Sequence, residues 1–169
     1  LGRLTADLGS RRLVARNVMR NTTNAFDGVL WQVGRSQEWR VHGFATQPVL
    51  ISTERLDASQ QGGAFFGVYY EKRLIERFNL DLYYFGLRDD GRTEPKRSYT
   101  TIGGRVYREP ALQIFDWEME TAWQLGRHGG GGHNAFFQHA QLGYTFDTVW
   151  ETRLSFQYDH ASGDDAPTD

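Results

Sequence analysis

Residues 116–126 read Asp116-Trp117-Glu118-Met119-Glu120-Thr121-Ala122-Trp123-Gln124-Leu125-Gly126, and this stretch decides the fold. Its odd positions are mostly apolar, and its even positions are mostly acidic or polar. A period of two places one kind of side chain on each face, which indicates a β-strand and not a helix. The stretch is about twice as long as an average soluble strand. Tilted strands of about 9–11 residues cross the hydrocarbon layer of a bilayer. We therefore predict the wall of an outer-membrane-type β-barrel, with lipid on one face and water on the other.

The same alternation recurs along the chain and predicts an all-β, antiparallel transmembrane barrel of about nine strands. The predicted strands are Leu1–Ala6, Phe26–Val33, Trp39–Val49, Ala64–Lys72, Phe78–Arg88, Ser98–Arg108, Phe115–Gly126, Asn134–Phe146 and Val149–His160. Long connections (7–24, 50–63, 89–97 and 127–133) are predicted to alternate with short ones (34–38, 73–77, 109–114 and the tight turn 147–148), with the weakest contrast between 109–114 and 127–133. Bacterial barrels alternate long outer loops with short periplasmic turns in this way.

Aromatic residues recur on the apolar face near the predicted short-turn ends. The set is Trp31, Trp39, Tyr70, Phe78, Trp117, Tyr144 and Trp150. Amphipathic rings prefer the headgroup level of a bilayer, so these residues predict a girdle at the membrane interface. A soluble β-sandwich has no reason to collect aromatic residues at one rim.

The amino-acid composition agrees with a barrel and gives no sign of a nucleic-acid-binding protein. The 169 residues contain 19 glycines, 14% aromatic residues and no cysteine, with a net charge of −2 and a mean hydropathy of −0.60. The small net charge gives no electrostatic reason to expect a nucleic-acid partner. Alternating strands average out as polar, so the low hydropathy does not argue against a membrane barrel. We treat residues 1–169 as a single barrel domain or barrel segment.

Nine strands begin on the short-turn side and end on the long-loop side. Single-chain bacterial barrels have even strand numbers, and open edges are not stable in lipid. We therefore expect the chain to be a segment of a larger barrel, or to close by other means.

Several motifs together resemble the alginate-export family of outer-membrane porins. They are Leu1-Gly2-Arg3, Leu8–Asn17, Asn24–Val29, Trp39–Val41 through Pro48-Val49, Leu80–Gly86, Leu142–Phe146 and Tyr158–Asp164. The resemblance implies an 18-stranded barrel in the outer membrane of a Gram-negative bacterium, of which this chain supplies about half. It also implies passive export of an anionic polysaccharide such as a polyuronate, with outer-membrane lipid and periplasmic export components as partners. No enzymatic activity and no cofactor are expected.

The charged positions of the inward face are the candidate substrate path. They are Arg40, His42, Asp81, Arg105, Glu118, Glu120, Arg153 and Asp159. Loop arginines Arg11, Arg12, Arg16 and Arg20 are predicted to lie near the outer mouth. Arginine suits sugar carboxylates because its planar fork can hold them through two hydrogen bonds. In the alternative interpretation, the arginines pair with inward acids, Asp116 included, and neutralise the wall. Because this half is not visibly basic, we hypothesise that strands outside it complete a basic track.

Three other interpretations are weaker. The segment His128-Gly129-Gly130-Gly131-Gly132-His133 resembles an oxyanion-hole motif, but no G-x-S-x-G elbow accompanies it. It is better interpreted as a flexible outer loop without a metal. Asp159, Asp164 and Asp165 offer hard oxygen ligands for Ca²⁺ but lack EF-hand spacing, so a solvated loop is preferred. The alternative function is a soluble or surface β-domain that binds carbohydrate without transport.

Overall fold

The computed structural model of the protein describes residues 1–17, 23–35, 38–50, 57–74, 78–90 and 95–163. Over these residues the chain forms ten β-strands and no helix. The strands are β1 (Gly2–Leu4), β2 (Phe26–Arg35), β3 (Trp39–Leu50), β4 (Ala58–Ser59), β5 (Gly63–Leu74), β6 (Phe78–Asp89), β7 (Arg97–Arg108), β8 (Phe115–His128), β9 (Gly131–Thr145) and β10 (Arg153–Ala161). The predicted all-β fold is confirmed, and each of the eight long strands has 9–15 residues, enough for the about 9–11 residues that a tilted transmembrane strand requires.

All strands belong to one antiparallel sheet in the order β1-β2-β3-β5-β6-β7-β8-β9-β10, with the two-residue β4 paired to β3. Consecutive long strands are therefore neighbours, as in an up-and-down barrel wall. Among the described residues the sheet is not closed, because β1 and β10 are not paired with each other. This arrangement is consistent with a barrel segment.

The two faces of the sheet have opposite chemistry. The more exposed face carries Trp123 (51% exposed), Met119 (59%), Leu142 (51%) and Phe156 (81%). Ionisable groups lie buried on the other face: Asp81, Asp116, Glu120 and His139 are each 5% exposed or less. A water-soluble protein buries its apolar side chains and exposes its charges. We call the two surfaces the apolar face and the charged face.

Two glycines on the apolar face are covered by aromatic rings from the neighbouring strand. Trp31 lies across Gly43, its direct partner in the β2–β3 pair, and Phe66 lies across Gly86 in the β5–β6 pair. A Cβ at either glycine would overlap the ring. A ring over a glycine restores packing that the missing side chain would otherwise lose.

The predicted alternation of connection lengths holds for the first part of the sheet only. Strand β8 ends at His128 and β9 begins at Gly131, so Gly129 and Gly130 alone form the turn. Both have positive φ values, 57° and 97°, which a tight two-residue hairpin requires. The prediction of a flexible loop over 127–133 is therefore wrong. On the opposite side, the connections 109–114 and 146–152 are longer.

The last predicted strand also starts later than expected. Residues 146–152 form a turn in which the Phe146 amide donates to the Thr152 carbonyl, 2.9 Å. Trp150 lies in this turn and is 88% exposed. The expected tight turn at 147–148 is instead a longer connection over 146–152 with its own hydrogen bonds. The prediction that Trp150 projects from a strand is therefore wrong.

Candidate functional site

One ionisable residue from each of seven neighbouring strands lies in a single line across the charged face. The line, called the charged row below, consists of Arg40, Glu71, Asp81, Arg105, Glu120, His139 and Asp159, each directly opposite the next. Directly opposite residues in an antiparallel pair project from the same face. The alternation along each strand and the register between strands together create the row.

Arg105 is the central cation of the charged row. Its guanidinium lies 2.7 Å from Glu118 and 3.4 Å from Asp81. It also stacks on the ring of Tyr107, with the guanidinium carbon 3.6 Å from the ring centroid. Such a cation–π contact fixes the plane of the guanidinium. No described residue accepts a hydrogen bond from Arg105 Nε, which is buried.

Arg40 is held more loosely at one end of the row. Its guanidinium lies 3.8 Å from Glu71, and Glu71 also faces Arg73 at 3.8 Å and His42 Nε2 at 3.6 Å. These separations are longer than hydrogen bonds. Within the described part of the chain, Arg40 Nε and His42 Nε2 have no hydrogen-bond partner. This end of the row therefore keeps donor capacity for a ligand.

Residues 5–17, called the inner segment below, lie against the charged face. Arg12 binds Glu118, lies 2.8 Å from Glu120, and approaches His139 Nε2 to 2.7 Å. Ser10 adds a hydrogen bond of 2.7 Å to Glu120. The inner segment thus supplies a cation to the acidic part of the row.

An apolar cluster anchors the same segment next to the charged row. Leu8 and Val14, each at most 7% exposed, belong to one buried cluster with Phe44, Tyr69, Tyr83, Phe85 and Ala122 of the sheet. The Leu8 amide donates to the Val14 carbonyl at 3.1 Å, which closes the segment into a compact turn. Gly9 has φ of 52° and presses against the Tyr69 hydroxyl, leaving no room for a side chain.

His139 is fully buried at the other end of the row. Its Nδ1 lies 2.6 Å from Asp159, and its Nε2 faces the Arg12 guanidinium. Because arginine can only donate, Nε2 accepts and the proton resides on Nδ1, where it donates to Asp159. Hydrogen bonds therefore connect Arg12 of the inner segment through His139 to Asp159 of the row.

Arg153 lies apart from the row, near the start of β10. Its guanidinium forms two hydrogen bonds with Asp116, one of them 3.1 Å long through Nε. A fork of this kind satisfies the carboxylate of Asp116, which is 3% exposed. Gly143, opposite Asp116, provides the room, since a Cβ there would overlap both partners.

Comparison with protein families matches the whole chain, residues 1–169, to the family described as alginate export. The chain belongs to the alginate export family. Membership gives the chain a role in alginate export, within a transport family and not an enzyme family, and implies an outer-membrane location. No curated protein and no solved structure matches the chain.

In this alginate export protein, the structure brings seven of the eight predicted path residues together. Arg40, His42, Asp81, Arg105, Glu118, Glu120 and Asp159 lie in the charged row or directly beside it, whereas Arg153 does not. The alternative interpretation also finds support, because most of the arginines are paired with inward acids. The role of each residue in transport remains a prediction.

The predicted outer-mouth arginines occupy different places. Arg12 lies against the middle of the charged face and not at a strand end, since it contacts Glu118 and Glu120 of β8. Arg11 and Arg16 pair with Asp7 within the inner segment, at 3.5 and 2.6 Å. Hydrogen bonds from Arg16 lower the pKa of Asp7. Arg20 lies outside the described residues.

The predicted aromatic girdle is uneven. Trp39, Phe78, Trp117 and Tyr144 lie within two residues of the strand ends on one side of the sheet, the side of the 36–38 and 75–77 connections, and Phe78 and Trp117 have ring centroids 6.5 Å apart. Trp31 and Tyr70 lie four residues inside the ends of β2 and β5, at Arg35 and Leu74. Their apolar-face position agrees with the alternation, but their depth does not match a single rim.

Sequence reasoning missed several members of the site. Glu71 and His139 were not singled out, although the alternation places both on the charged face. Their importance comes from the register that sets them beside Arg40 and Glu120. Ser10 carried no signal, because its partner is 110 positions away in the chain.

Neither a metal nor a helical span is indicated in the described part of the chain. No group of three or more possible metal ligands occurs there, and no helix there is long and apolar enough to cross a membrane. Of the predicted calcium ligands, Asp159 is engaged by His139 and Gln157, while Asp164 and Asp165 lie outside the described residues.

Proposed function

We propose that this chain forms part of the wall of a passive conduit through the outer membrane of a Gram-negative bacterium. The conduit would carry an anionic polysaccharide, namely a uronate polymer. The observation that carries this proposal is the inverted sheet: its apolar face is exposed, and its charged face is covered. Such a sheet fits lipid on one side and a hydrated interior on the other. Family membership supports the export role.

Arg40 and Arg105 are the residues proposed to contact the polymer. Each projects from the charged face, and the two side chains are 32% and 13% exposed. A passing carboxylate can accept hydrogen bonds from the exposed part of a guanidinium. Arg153 is proposed to be structural, because its Nε and Nη2 both donate to the buried carboxylate of Asp116.

The wall described here is not strongly basic. Around the charged row, five carboxylates (Glu71, Asp81, Glu118, Glu120 and Asp159) face four guanidinium groups (Arg12, Arg40, Arg73 and Arg105). Without the inner segment, Arg12 would be lost and repulsion of a polyanion would increase. We therefore propose that the inner segment stays in place during transport and lines the conduit. Selectivity then arises from pore width and local arginines.

Planar-bilayer recording of the refolded protein tests this function. A conduit should give stepwise conductance that a soluble polyuronate blocks from one side. Arg40→Gln and Arg105→Gln should each weaken the block, with a roughly tenfold loss for one charge-assisted contact. Arg35→Gln is the matched control, because Arg35 lies on the other face at a strand end and its side chain is 76% exposed.

Two results would contradict the proposal in different ways. A protein that is monodisperse in buffer without detergent and binds the sugar without conducting would be the alternative carbohydrate-binding domain. A conducting protein whose block is equal in all three variants would keep the conduit but remove Arg40 and Arg105 from its mechanism.

A further inference from the structure

Two arginines project from the apolar face at the end opposite the aromatic residues Phe78 and Trp117. Arg88 of β6 and Arg127 of β8 both lie directly opposite Ser98 of β7, one on each side. All three are exposed. Within the described part of the chain, neither arginine forms an ion pair, and the Ser98 hydroxyl forms no hydrogen bond. The three residues form what we call the Arg–Ser–Arg cluster.

The depth of the cluster follows from the strands that carry it. Ten positions separate Phe78 from Arg88 along β6, and ten separate Trp117 from Arg127 along β8. This corresponds to roughly 33 Å along each strand. At barrel tilts of about 40°, the vertical distance is about 25 Å, the height of the apolar band of a membrane barrel. The cluster therefore lies at the first position beyond the hydrocarbon.

The residues between these ends confirm the apolar band. Along β6 the same face presents Leu80, Leu82 and Tyr84, and along β8 it presents Met119, Trp123 and Leu125. No charged residue interrupts either set. The change from apolar side chains to arginine is therefore abrupt, and it occurs at one level on both strands.

Among the described residues, the cross-strand neighbours leave the cluster open to a ligand. The next residues across the sheet are Ala64, opposite Arg88, and Gly132, opposite Arg127, and neither side chain can cover a guanidinium. The Cα atoms of the two arginines lie on alternate strands, about 9.6 Å apart at normal strand spacing. Two guanidinium forks that flank a hydroxyl suit a phosphate group, whose oxygens accept several hydrogen bonds at once.

We propose that Arg88, Ser98 and Arg127 bind the phosphate group of a phosphorylated glycolipid in the outer leaflet of the membrane. This inference rests on the proposed function, because it requires the apolar face to contact lipid and the side of the 90–96 connection to face outwards. The lipid is the occupant because its acyl chains can lie on the apolar band directly beneath the arginines while its headgroup reaches them. A free phosphate ion would lack that second contact.

Native mass spectrometry of the detergent-refolded protein tests the site with two probes: diphosphorylated lipid A and its dephosphorylated form. The double variant Arg88→Gln/Arg127→Gln should lose affinity for the phosphorylated lipid by roughly 30-fold, since each arginine near a charged headgroup layer contributes roughly fivefold. Its affinity for the dephosphorylated lipid should not change. Ser98→Ala should show a smaller loss.

Arg108→Gln is the matched control. Arg108 lies on the same face but at the other rim, opposite Trp117, so its removal should leave the affinity unchanged. Equal affinity of the double variant and the unaltered protein would overturn the proposal. So would an equal loss in Arg108→Gln, which would indicate attraction by overall charge. Full competition by inorganic phosphate at lipid-equivalent concentrations would show a free-anion site instead.

Conductance of the same preparations separates this site from the proposed function. If the variants conduct normally and bind the lipid as the unaltered protein does, the lipid site is wrong and the conduit stands. If phosphate-dependent lipid binding is observed without any conductance, the lipid site stands and the conduit is wrong.

Discussion

At Glu120, three donors from distant parts of the chain meet one buried carboxylate. Ser10 and Arg12 donate to Oε2 at 2.7 and 2.8 Å, and the Tyr83 hydroxyl donates to Oε1 at 3.1 Å. A carboxylate that is 5% exposed needs such partners, because an uncompensated buried charge costs several kcal/mol. Arg12 is the only full positive charge among these three donors.

Arg12→Gln should therefore destabilise the folded protein by roughly 1.5–3 kcal/mol, the range for hydrogen bonds to charged groups. The loss arises because Glu118 and Glu120 would remain close together without their shared cation. Urea unfolding in detergent, followed by tryptophan fluorescence, measures this difference.

Arg11→Gln is the control for that experiment. The same chemical change occurs at the next residue, but the Arg11 side chain is 48% exposed and lies 3.5 Å from Asp7. Exposed pairs contribute about 0–1 kcal/mol, so little change is expected. Equal destabilisation by the two substitutions would show that Arg12 has no special role.

At the scale of elements, the inner segment depends on a close fit as well as on charge. Leu8 and Val14 occupy the aromatic surface formed by β3, β5 and β6, and Gly9 permits that approach. Since φ at Gly9 is 52°, any side chain there would add backbone strain of about 1 kcal/mol to the steric overlap with Tyr69.

Gly9→Ala should displace the inner segment and leave the sheet intact. Single-channel conductance in planar bilayers should rise, because the segment would no longer occupy the charged face. Gly132→Ala is the matched control, since a Cβ there meets nothing within 4 Å and the residue has no positive φ. An unchanged conductance in Gly9→Ala would mean that the segment does not narrow the path.

At the scale of the whole molecule, one face exposes apolar side chains and the other buries charged ones. This distribution predicts which solvent each face contacts. Ile102, in the middle of β7, is 54% exposed on the apolar face. A lysine placed there would enter hydrocarbon if the face contacts lipid, whereas in water it would cost almost nothing.

Ile102→Lys should destabilise the protein by roughly 2–4 kcal/mol in lipid or detergent, the cost of a cation near the midplane of a barrel. Gln141→Lys is the control on the charged face, where Glu118 lies directly opposite and can pair with the new cation. Refolding yield and urea midpoints in lipid vesicles provide the comparison. If both lysines have the same effect, the two faces contact the same solvent and the barrel interpretation fails.

The alternation of apolar and polar residues along the whole chain explains how much of the fold could be predicted from the sequence. In β8, Trp117, Met119 and Trp123 share the apolar face, and Glu118 and Glu120 share the other, as the residue order alone implies. The reason is local: each strand residue points opposite to its neighbours, whatever the rest of the chain does. Strand type, face and approximate length are therefore properties of the sequence.

Other features required contacts between distant residues. The turn at Gly129-Gly130 depended on how far β8 and β9 pair, and the charged row depended on a register that sets Arg105 opposite Glu120. Arg12 lies on the charged face because Leu8 and Val14 fit the aromatic surface beneath them, more than 100 positions from Glu120 in the chain. The sequence by itself determined which side chains share the apolar face and which share the charged face, because the pleat has a fixed period of two. The tertiary structure alone decided which charges meet, because the register between strands and the position of the inner segment depend on contacts across the entire sheet.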